Sequence, residues 1–525
     1  MKDFLLLIVL SLYLHTSFSQ KLFQPELEAF YNPVLRPFYF GVASGDPQPH
    51  SVVIWTKIVS ENLRLQQIHW EVATDTLLQN VVQSGTGEAD SSSAFTLKLV
   101  VENLEAGTHY FYRFQHEGRY SPIGRTKTAP EGEVPLLRFA VVSCANFPSG
   151  YFNAFGDLAR RNDIDAVLHL GDYIYEYGSG GPRKKKKNFS RPHIPNHEIL
   201  TLQDYRTRYG QYRLDPQLME AHRLLPFIVI WDDHELANNS NVSGAQNHDP
   251  NSEGGWGKRK AIARQVYFEW LPVRDNPQRS IIRSFKYGGL AELWMLDGRL
   301  EGRSPQARGT GDPALPSPGR HMLGEQQTQW LLDGMKNSTA RWKIMGNQVI
   351  FSPLNDSKVF SRDPSIRMDR WDGYPAERDE IFDFFYKNNL RNIVVVTGDV
   401  HTSWAFELTG DPHNPSKYNR KTGMGVTGAE FVTPSVSSFN FDEVVPKFVT
   451  WEAKRRFCKK ENNPHLRFLD LNHHGYMTLT LTPERAQADW FFVKTLYEVD
   501  DRYKQKGGRY IEFNGNQVKK NKSKR

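Results

Sequence analysis

Apolar and polar positions follow two different rhythms along this chain, and the change falls near residue 134. From Phe38, short alternating runs rich in aromatic and β-branched residues are separated by turns: 51–58, 68–75, 95–104 and 108–118. Strands of that length and spacing predict a small all-β sandwich of immunoglobulin or fibronectin type over 38–130. The sequence LEAGTHY, 104–110, resembles the turn into the late strand that carries a tyrosine in fibronectin-like modules. GRTKTAP, ending at Pro130, is a polar, proline-ended exit.

Beyond Val134 the rhythm becomes strand, helix, strand. Runs at 136–144, 165–172, 226–235, 290–299, 341–353 and 392–401 read as buried strands, 151–161 and 380–389 as helices, and 476–483 as late β structure. The residues between the first two strands suffice for a right-handed crossover, which makes them parallel neighbours. The predicted class is an α/β layered domain, 134–500, behind the all-β sandwich. One further strand follows in ADWFFVKTL, and 501–525 is read as a basic tail that frays.

The first twenty residues stand apart. Lys2 precedes an apolar run, 4–14, too short to span a bilayer comfortably, and Ser17-Phe18-Ser19 offers a small-x-small cleavage site. Residues 1–19 are therefore read as a signal peptide. Without a twin arginine or a cysteine beside the cut, the general secretory route is expected, leading to the periplasm, the cell surface or the medium. No later stretch is long and apolar enough for a transmembrane helix. The length of 525 residues favours two domains. The net charge of +7 permits an anionic substrate without calling for nucleic acid. Much of the excess sits in Arg183–Lys187 and Lys519–Arg525, without interleaved aromatics, as solvated loop and tail. Only Cys144 and Cys458 are present, so a single disulfide is possible but not a disulfide scaffold.

The candidate chemistry lies where strands end. One run ends in Cys144, one in Gly171-Asp172 with Tyr175 three residues on, one in Asp232-Asp233-His234, and one in Gly398-Asp399 with His401. In open α/β sheets ligands bind beyond the carboxyl ends of strands. Anionic donors converging there repel one another unless a cation lies between them, which points to a metal site with carboxylates enough for more than one ion. Thiolate and phenolate favour a strongly Lewis-acidic metal such as ferric iron, and carboxylates suit calcium, magnesium or manganese. Cys144, Asp172, Tyr175 and His401 would make a first site, and Asp172, Asp233 and Asp399 a second with Asp172 bridging. Such a centre activates water and polarises a phosphoryl oxygen, and His234 would serve as acid to the leaving oxygen or as a donor to phosphate. Asn146 is read either as a phosphate contact or as a turn residue, and Arg299 either as a phosphate contact or as half of a salt bridge. Asp232 is read as a structural hydrogen-bonding partner, one of His473 and His474 as a support behind the site, and 371–378 as structural.

At these residues the chain resembles the PhoD-like alkaline phosphatases, a phosphodiesterase/alkaline phosphatase D family among the metallophosphatases. SCANF, HLGDYIYEYG, WDDHE, WDGYPAER, TGDVHTSW and HHGY occur in the family's order, and GVASGDP, VVIWTK and GRTKTAP are similar to its N-terminal β-domain. The resemblance implies a metallophosphatase-type catalytic domain, one ferric ion and calcium. Cys144, Asp172 and Tyr175 match iron ligands, Asp399 and His401 match the late ligand pair, and Asp233 falls where the wider superfamily has a metal-binding Asn. Members often carry a twin-arginine signal. Its absence here implies that metal is acquired after secretion. The function expected is exported, metal-dependent hydrolysis of phosphate monoesters, diesters or both. The alternatives are a phospholipase-type phosphodiesterase and a non-catalytic surface binding protein with a degenerate phosphatase domain. Against the second, no ligand position is missing.

Overall fold

A computed structural model describes residues 24–60, 62, 64–178, 189–356, 359, 368–500, 509–515 and 517–520. The signal-peptide reading of 1–19 and the Arg183–Lys187 run lie outside the described residues. The N-terminal module contains β1 (Val42–Gln48), β2 (Ser51–Lys57), β3 (Gln66–Ala73), β4 (Val81–Ala89), β5 (Thr96–Val101), β6 (His109–His116), β7 (Arg119–Tyr120) and β8 (Gly124–Lys127). β4, β3, β6 and β7 form one sheet, with β8 also on β6, and β1, β2 and β5 lie in the other. Alternate residues of both, among them Val52, Ile54, Ile68, Val72, Tyr112 and Phe114, make a shared core. The Glu105 amide donates to the Tyr110 hydroxyl at 2.8 Å, which pins the turn that the sequence marked.

The sandwich is not a free-standing bead. β1 runs parallel to β11 (Pro226–Ile230), pairing Ser44 with Pro226 and Gly45 with Phe227. One sheet of the module therefore continues into the catalytic domain. Between them in the chain come β9 (Leu137–Val142) and β10 (Ala166–Leu170). The catalytic part continues with β12 (Arg283–Tyr287), β13 (Ala291–Met295), β14 (Trp342–Asn347), β15 (Ile393–Thr397), β16 (Ser403–Leu408), β17 (Gly428–Val432), β18 (Leu466–Asp470), β19 (Gly475–Leu481) and β20 (Ala486–Phe492). It ends in β21 (Arg509–Phe513) and β22 (Val518–Lys520). A ten-stranded sheet runs β22-β21-β20-β19-β9-β10-β11-β1-β2-β5, and a seven-stranded one β12-β13-β14-β15-β17-β16-β18.

The two sheets face each other across the main core. Period-two alternation decides which side each residue serves. Val394 and Val396 of β15 pack inward with Val141, Val167 and Ile228 of the other sheet. Ile393 and Val395 face the helices Glu325–Asn337 and Pro375–Lys387, where Leu331, Phe382 and Phe385 cover them. Because β15 is covered on both faces, it reads as an uninterrupted apolar run.

Several elements depart from the sequence reading. β21 and β22 lie inside the stretch expected to fray, and they add to β20 because Phe513 and Val518 have a core to enter. The helix Leu202–Arg213 was not anticipated, since its buried face is built from Tyr205, Arg208, Tyr209, Tyr212 and Arg213 and carries no aliphatic stripe. The helix Trp256–Trp270 was not anticipated either: it buries Trp256, Ala263, Val266 and Trp270 on one face, interrupted by Arg259, which is buried against Glu198 and Glu253. β4 was missed because most of its side chains are exposed and polar. Both cysteines are free, Cys144 buried and Cys458 exposed, so the possible disulfide does not form.

Candidate metal centre

The four donor-bearing strand ends meet, but not on one sheet. β9, β10 and β11 are parallel neighbours and deliver Cys144, Asp172 and Asp233 from the ten-stranded sheet. β15 delivers Asp399 and His401 from the seven-stranded sheet. The site therefore sits at the seam between the two sheets. Two glycines permit the approach. A Cβ on Gly398 would lie 2.9 Å from the Ser143 side chain, and one on Gly171 would lie 2.3 Å from the Asp232 amide nitrogen. Cys144, Asp172, Asp399 and His401 all have left-handed backbones, with φ of 60°, 56°, 61° and 60°. Non-glycine residues pay roughly 1–3 kcal/mol for such conformations, and they persist where surrounding structure overdetermines them.

One carboxylate ties two of the rims together. Buried Glu235 accepts the backbone N–H groups of Asp172 (3.1 Å), Tyr173 (2.6 Å) and Asp232 (2.8 Å). Around Asp172, the Tyr175 hydroxyl donates to Oδ2 at 2.8 Å and itself accepts from Ser438 Oγ at 2.6 Å. His401 Nδ1 lies 2.9 Å from the Phe439 carbonyl, which fixes the tautomer with hydrogen on Nδ1 and leaves Nε2 as the donor atom, 3.5 Å from the Tyr175 hydroxyl. His474 stands one layer back. Its Nδ1 lies 2.9 Å from Ser435 Oγ and its Nε2 3.2 Å from Glu443, so it braces the 435–438 loop. His473 pairs with Asp470 instead.

Three groups of side chains bring donor atoms within 4.8 Å of one another: Cys144, Asp172 and His401; Asp172, Asp233 and His234; and Asp232, Asp233 and Asp399. The first fits a cation on the chemistry of its donors, and the second does so through Asp172 and Asp233, since the His234 ring carries its own proton. Burial, then the nearby Asp172, pushes the Cys144 thiol well up, and burial with Asp172 and Cys144 does the same to the Tyr175 phenol. Burial likewise drives Asp172 well above the usual carboxylate range, as it does Asp399 with help from Asp232 and Asp369. Crowding and burial disfavour the charged form of every one of these groups, and a cation among them would favour it again. Asp233 Oδ1 is buried and, among the described residues, accepts no hydrogen bond.

The third group differs, because a cation of the chain already serves it. Arg299 is wholly buried, donates through Nε to Asp232 and through Nη1 to Asp369 at 2.7 Å, and has Nη2 3.4 Å from Asp399 and 3.8 Å from Asp233. Arg303 adds a second guanidinium at Asp369. Of the two readings of Arg299, the salt bridge holds. A phosphate contact would need an accessible fork, and carboxylates have taken this one. Asp232 is the structural partner expected.

His234 lies beside both donor sets. Its Nδ1 is 2.7 Å from Glu176 Oε2, and its ring centre is 4.2 Å from that of Tyr175. Burial alone would lower its pKa, but Glu176, Asp233 and Asp172 together hold it well above the ordinary histidine value. Glu176 is set in turn by the Asn238 amide at 2.8 Å and Asn247 Nδ2 at 3.0 Å. Asn146 precedes a short 3-10 turn, Phe147–Ser149, without capping it. Its Oδ1 is buried and, among the described residues, unpartnered. The 371–378 stretch is structural, as expected: Asp372 joins Arg370 and Arg378, and Glu377 accepts the amides of Met322 and Leu323.

Sequence reasoning did not assign roles to Glu176, Glu235, Asp369 or the serines at 435 and 438. Glu176 and Glu235 lie inside the motifs GDYIYEYG and WDDHE. Charged residues flanking a ligand were the available signal.

Two facing mixed sheets that pool carboxylate, imidazole, thiol and phenol donors at their seam define a metallophosphatase-type domain. Comparison with known proteins makes this specific. Residues 139–490 match the PhoD-like phosphatase family, and residues 28–130 match the PhoD-like phosphatase N-terminal domain, ten residues ahead of the boundary expected from strand pattern. Alkaline phosphatase D of Bacillus subtilis (strain 168) is 38% identical over 472 residues, spanning 86% of this chain and 77% of that protein. A solved structure titled "Structure of PhoD" superposes with a TM-score of 0.81 at 33% identity, covering 94% of each chain. The chain belongs to the PhoD-like phosphatase family. It is a hydrolase of phosphoric ester bonds, and metal dependence comes with the family. The reading as a non-catalytic binding protein falls.

Proposed function

We propose that the protein is an exported phosphoesterase that hydrolyses phosphate monoesters, diesters or both at a centre of ferric iron and calcium. Cys144, Asp172, Tyr175 and His401 would hold the iron, and Asp172, Asp233 and Asp399 the calcium, with Asp172 shared. The observation that carries this reading is the convergence of a buried thiol, phenol, imidazole and several carboxylates with only one set of acids already compensated by arginine. When bound, the ions supply Lewis-acid polarisation of the phosphoryl oxygens and a water nucleophile active near neutral pH.

The chain's own part begins with orientation. Glu235 sets the loops that carry Asp172 and Asp233, and the Phe439 carbonyl sets His401. His234 holds hydrogen on Nδ1 against Glu176, and Nε2 gives up its proton to the leaving oxygen. Asn146 would reach the phosphate through its side-chain NH2 group, the only donor it has there. Export is supported by the short apolar run 4–14 and its cleavage site. Among the described residues no helix is long and apolar enough to cross a membrane.

The test is metal content of the purified mature protein by plasma emission, with hydrolysis of an aryl phosphate monoester and diester with and without chelator. Iron plus calcium and chelator-sensitive turnover are expected. Turnover that survives complete removal of metal would overturn the assignment.

A further inference from the structure

One feature outside the site is not explained by catalysis. Five large apolar side chains among the described residues are more than 65% exposed: Val34, Leu77, Val444, Phe448 and Trp451. Three of the five fall within eight residues, on the helix Lys447–Phe457 and the short helix Phe441–Val444 before it. The helix is apolar on two faces. It buries Thr450, Ala453 and Phe457, and leaves Phe448 and Trp451 outside at 73% and 66% exposure, with Val444 at 72%. Residues 448, 451 and 455 share one face by helical spacing. A core-facing helix would put its largest apolar groups inward.

The polar residues around this face say what would cover it. The helix carries Lys447, Lys454, Arg455 and Arg456 against a single acid, Glu452. That carboxylate is shared, with Arg455 Nε and Arg456 Nε each at 2.7 Å. The Arg455 guanidinium lies 5.9 Å from the Trp451 ring. Aromatic and aliphatic groups ringed by cations are the signature of a helix lying in the interface of an anionic lipid layer. Unlike the basic runs at 183–187 and 519–525, here aromatics and cations are interleaved.

The face is also wired to the metal centre. It begins five residues after Phe439, whose carbonyl holds His401, and six after Ser438, which donates to Tyr175. Glu443, in the short helix, is bound by the Asn440 amide at 3.0 Å and lies 3.2 Å from His474. We propose that Val444, Phe448 and Trp451 with their basic collar form an interfacial surface that docks the enzyme on an anionic bilayer, bringing the donor-bearing rim toward phosphoesters at the lipid–water boundary. This goes beyond the proposed reaction and does not depend on which metals serve it.

The test is cosedimentation of the full mature protein with vesicles of phosphatidylcholine alone and of an equal mixture with phosphatidylglycerol. The protein is expected to pellet with the mixed vesicles, less so in high salt. Phe448→Ser/Trp451→Ser should lower the bound fraction at least about tenfold, as removal of two inserted rings requires. Lys454→Gln/Arg455→Gln should weaken binding to the mixed vesicles only. Hydrolysis of a soluble aryl phosphate should be unchanged in both variants, which checks their folding. A wild-type protein that stays in the supernatant, or a double aromatic variant that pellets like wild type, overturns the proposal. So does light scattering that finds a wild-type dimer and a monomeric aromatic variant, since a second copy then covers the face.

Discussion

Two clusters of buried carboxylates lie side by side in this protein, and they are neutralised in different ways. Asp232 and Asp369 have Arg299 and Arg303 at hydrogen-bonding distance; those guanidinium groups hold Asp369 below its usual range against burial, while burial still pushes Asp232 up to about 6 against Arg299. Asp172 lies among Tyr175, Cys144 and Asp233 with no arginine paired to it among the described residues, and burial drives it well up. The residue type is the same and so is the burial. The difference is the source of the positive charge. One cluster carries its cation in the sequence and is finished on folding, while the other is left for ions from outside. Asp233 and Asp399 sit on the border, each within 4 Å of Arg299 yet each in a donor group.

This contrast can be broken experimentally. The largest effect is expected from Asp172→Asn, which removes the charge shared by both donor groups and should abolish phosphate-ester hydrolysis while circular dichroism stays native. Retained turnover would place the shared ligand elsewhere. Arg299→Met should cost about 3–5 kcal/mol of stability by chemical denaturation, because it strands buried charges. Added calcium should recover part of that loss, turning the finished cluster into an ion-dependent one. A variant as stable as wild type would show that the carboxylates had never needed the guanidinium.

Smaller effects sharpen the same comparison. Chelation should lower wild-type stability by about 2.7 kcal/mol if ions were present at a hundred times their dissociation constant. The drop should be much smaller in Asp172→Asn. Cys144→Ser should lose iron by plasma emission and keep much of its calcium, and unchanged iron would return Cys144 to the core thiols. His474→Ala, one layer behind Tyr175 and His401, should reduce activity or metal affinity about 10–100-fold. An unaffected variant would mean that the Ser435–Ser438 loop holds itself.

The strand-end motifs were legible because chemistry and position coincide there. Gly398-Asp399 follows four residues that read as a short buried strand, so the donors could be placed at a rim without knowing the sheet. The all-β module was legible for the same reason, through alternation and turns. Local pattern determined each strand, each turn and the inventory of donors. It did not determine that β15 belongs to a different sheet from β9, β10 and β11, because strand pairing is a long-range choice that no window of sequence contains. Nor could it assign Arg299, whose role depends on carboxylates 67, 70 and 100 positions away. The helix Leu202–Arg213 escaped because its buried face is rich in tyrosine and arginine, which are apolar only when tertiary partners satisfy their polar ends. The sequence by itself thus set which side chains were available for catalysis. Only the tertiary structure decided which acids would meet an arginine and which would await an ion, because neutralisation is a matter of distance, and distance here is made by the meeting of two sheets.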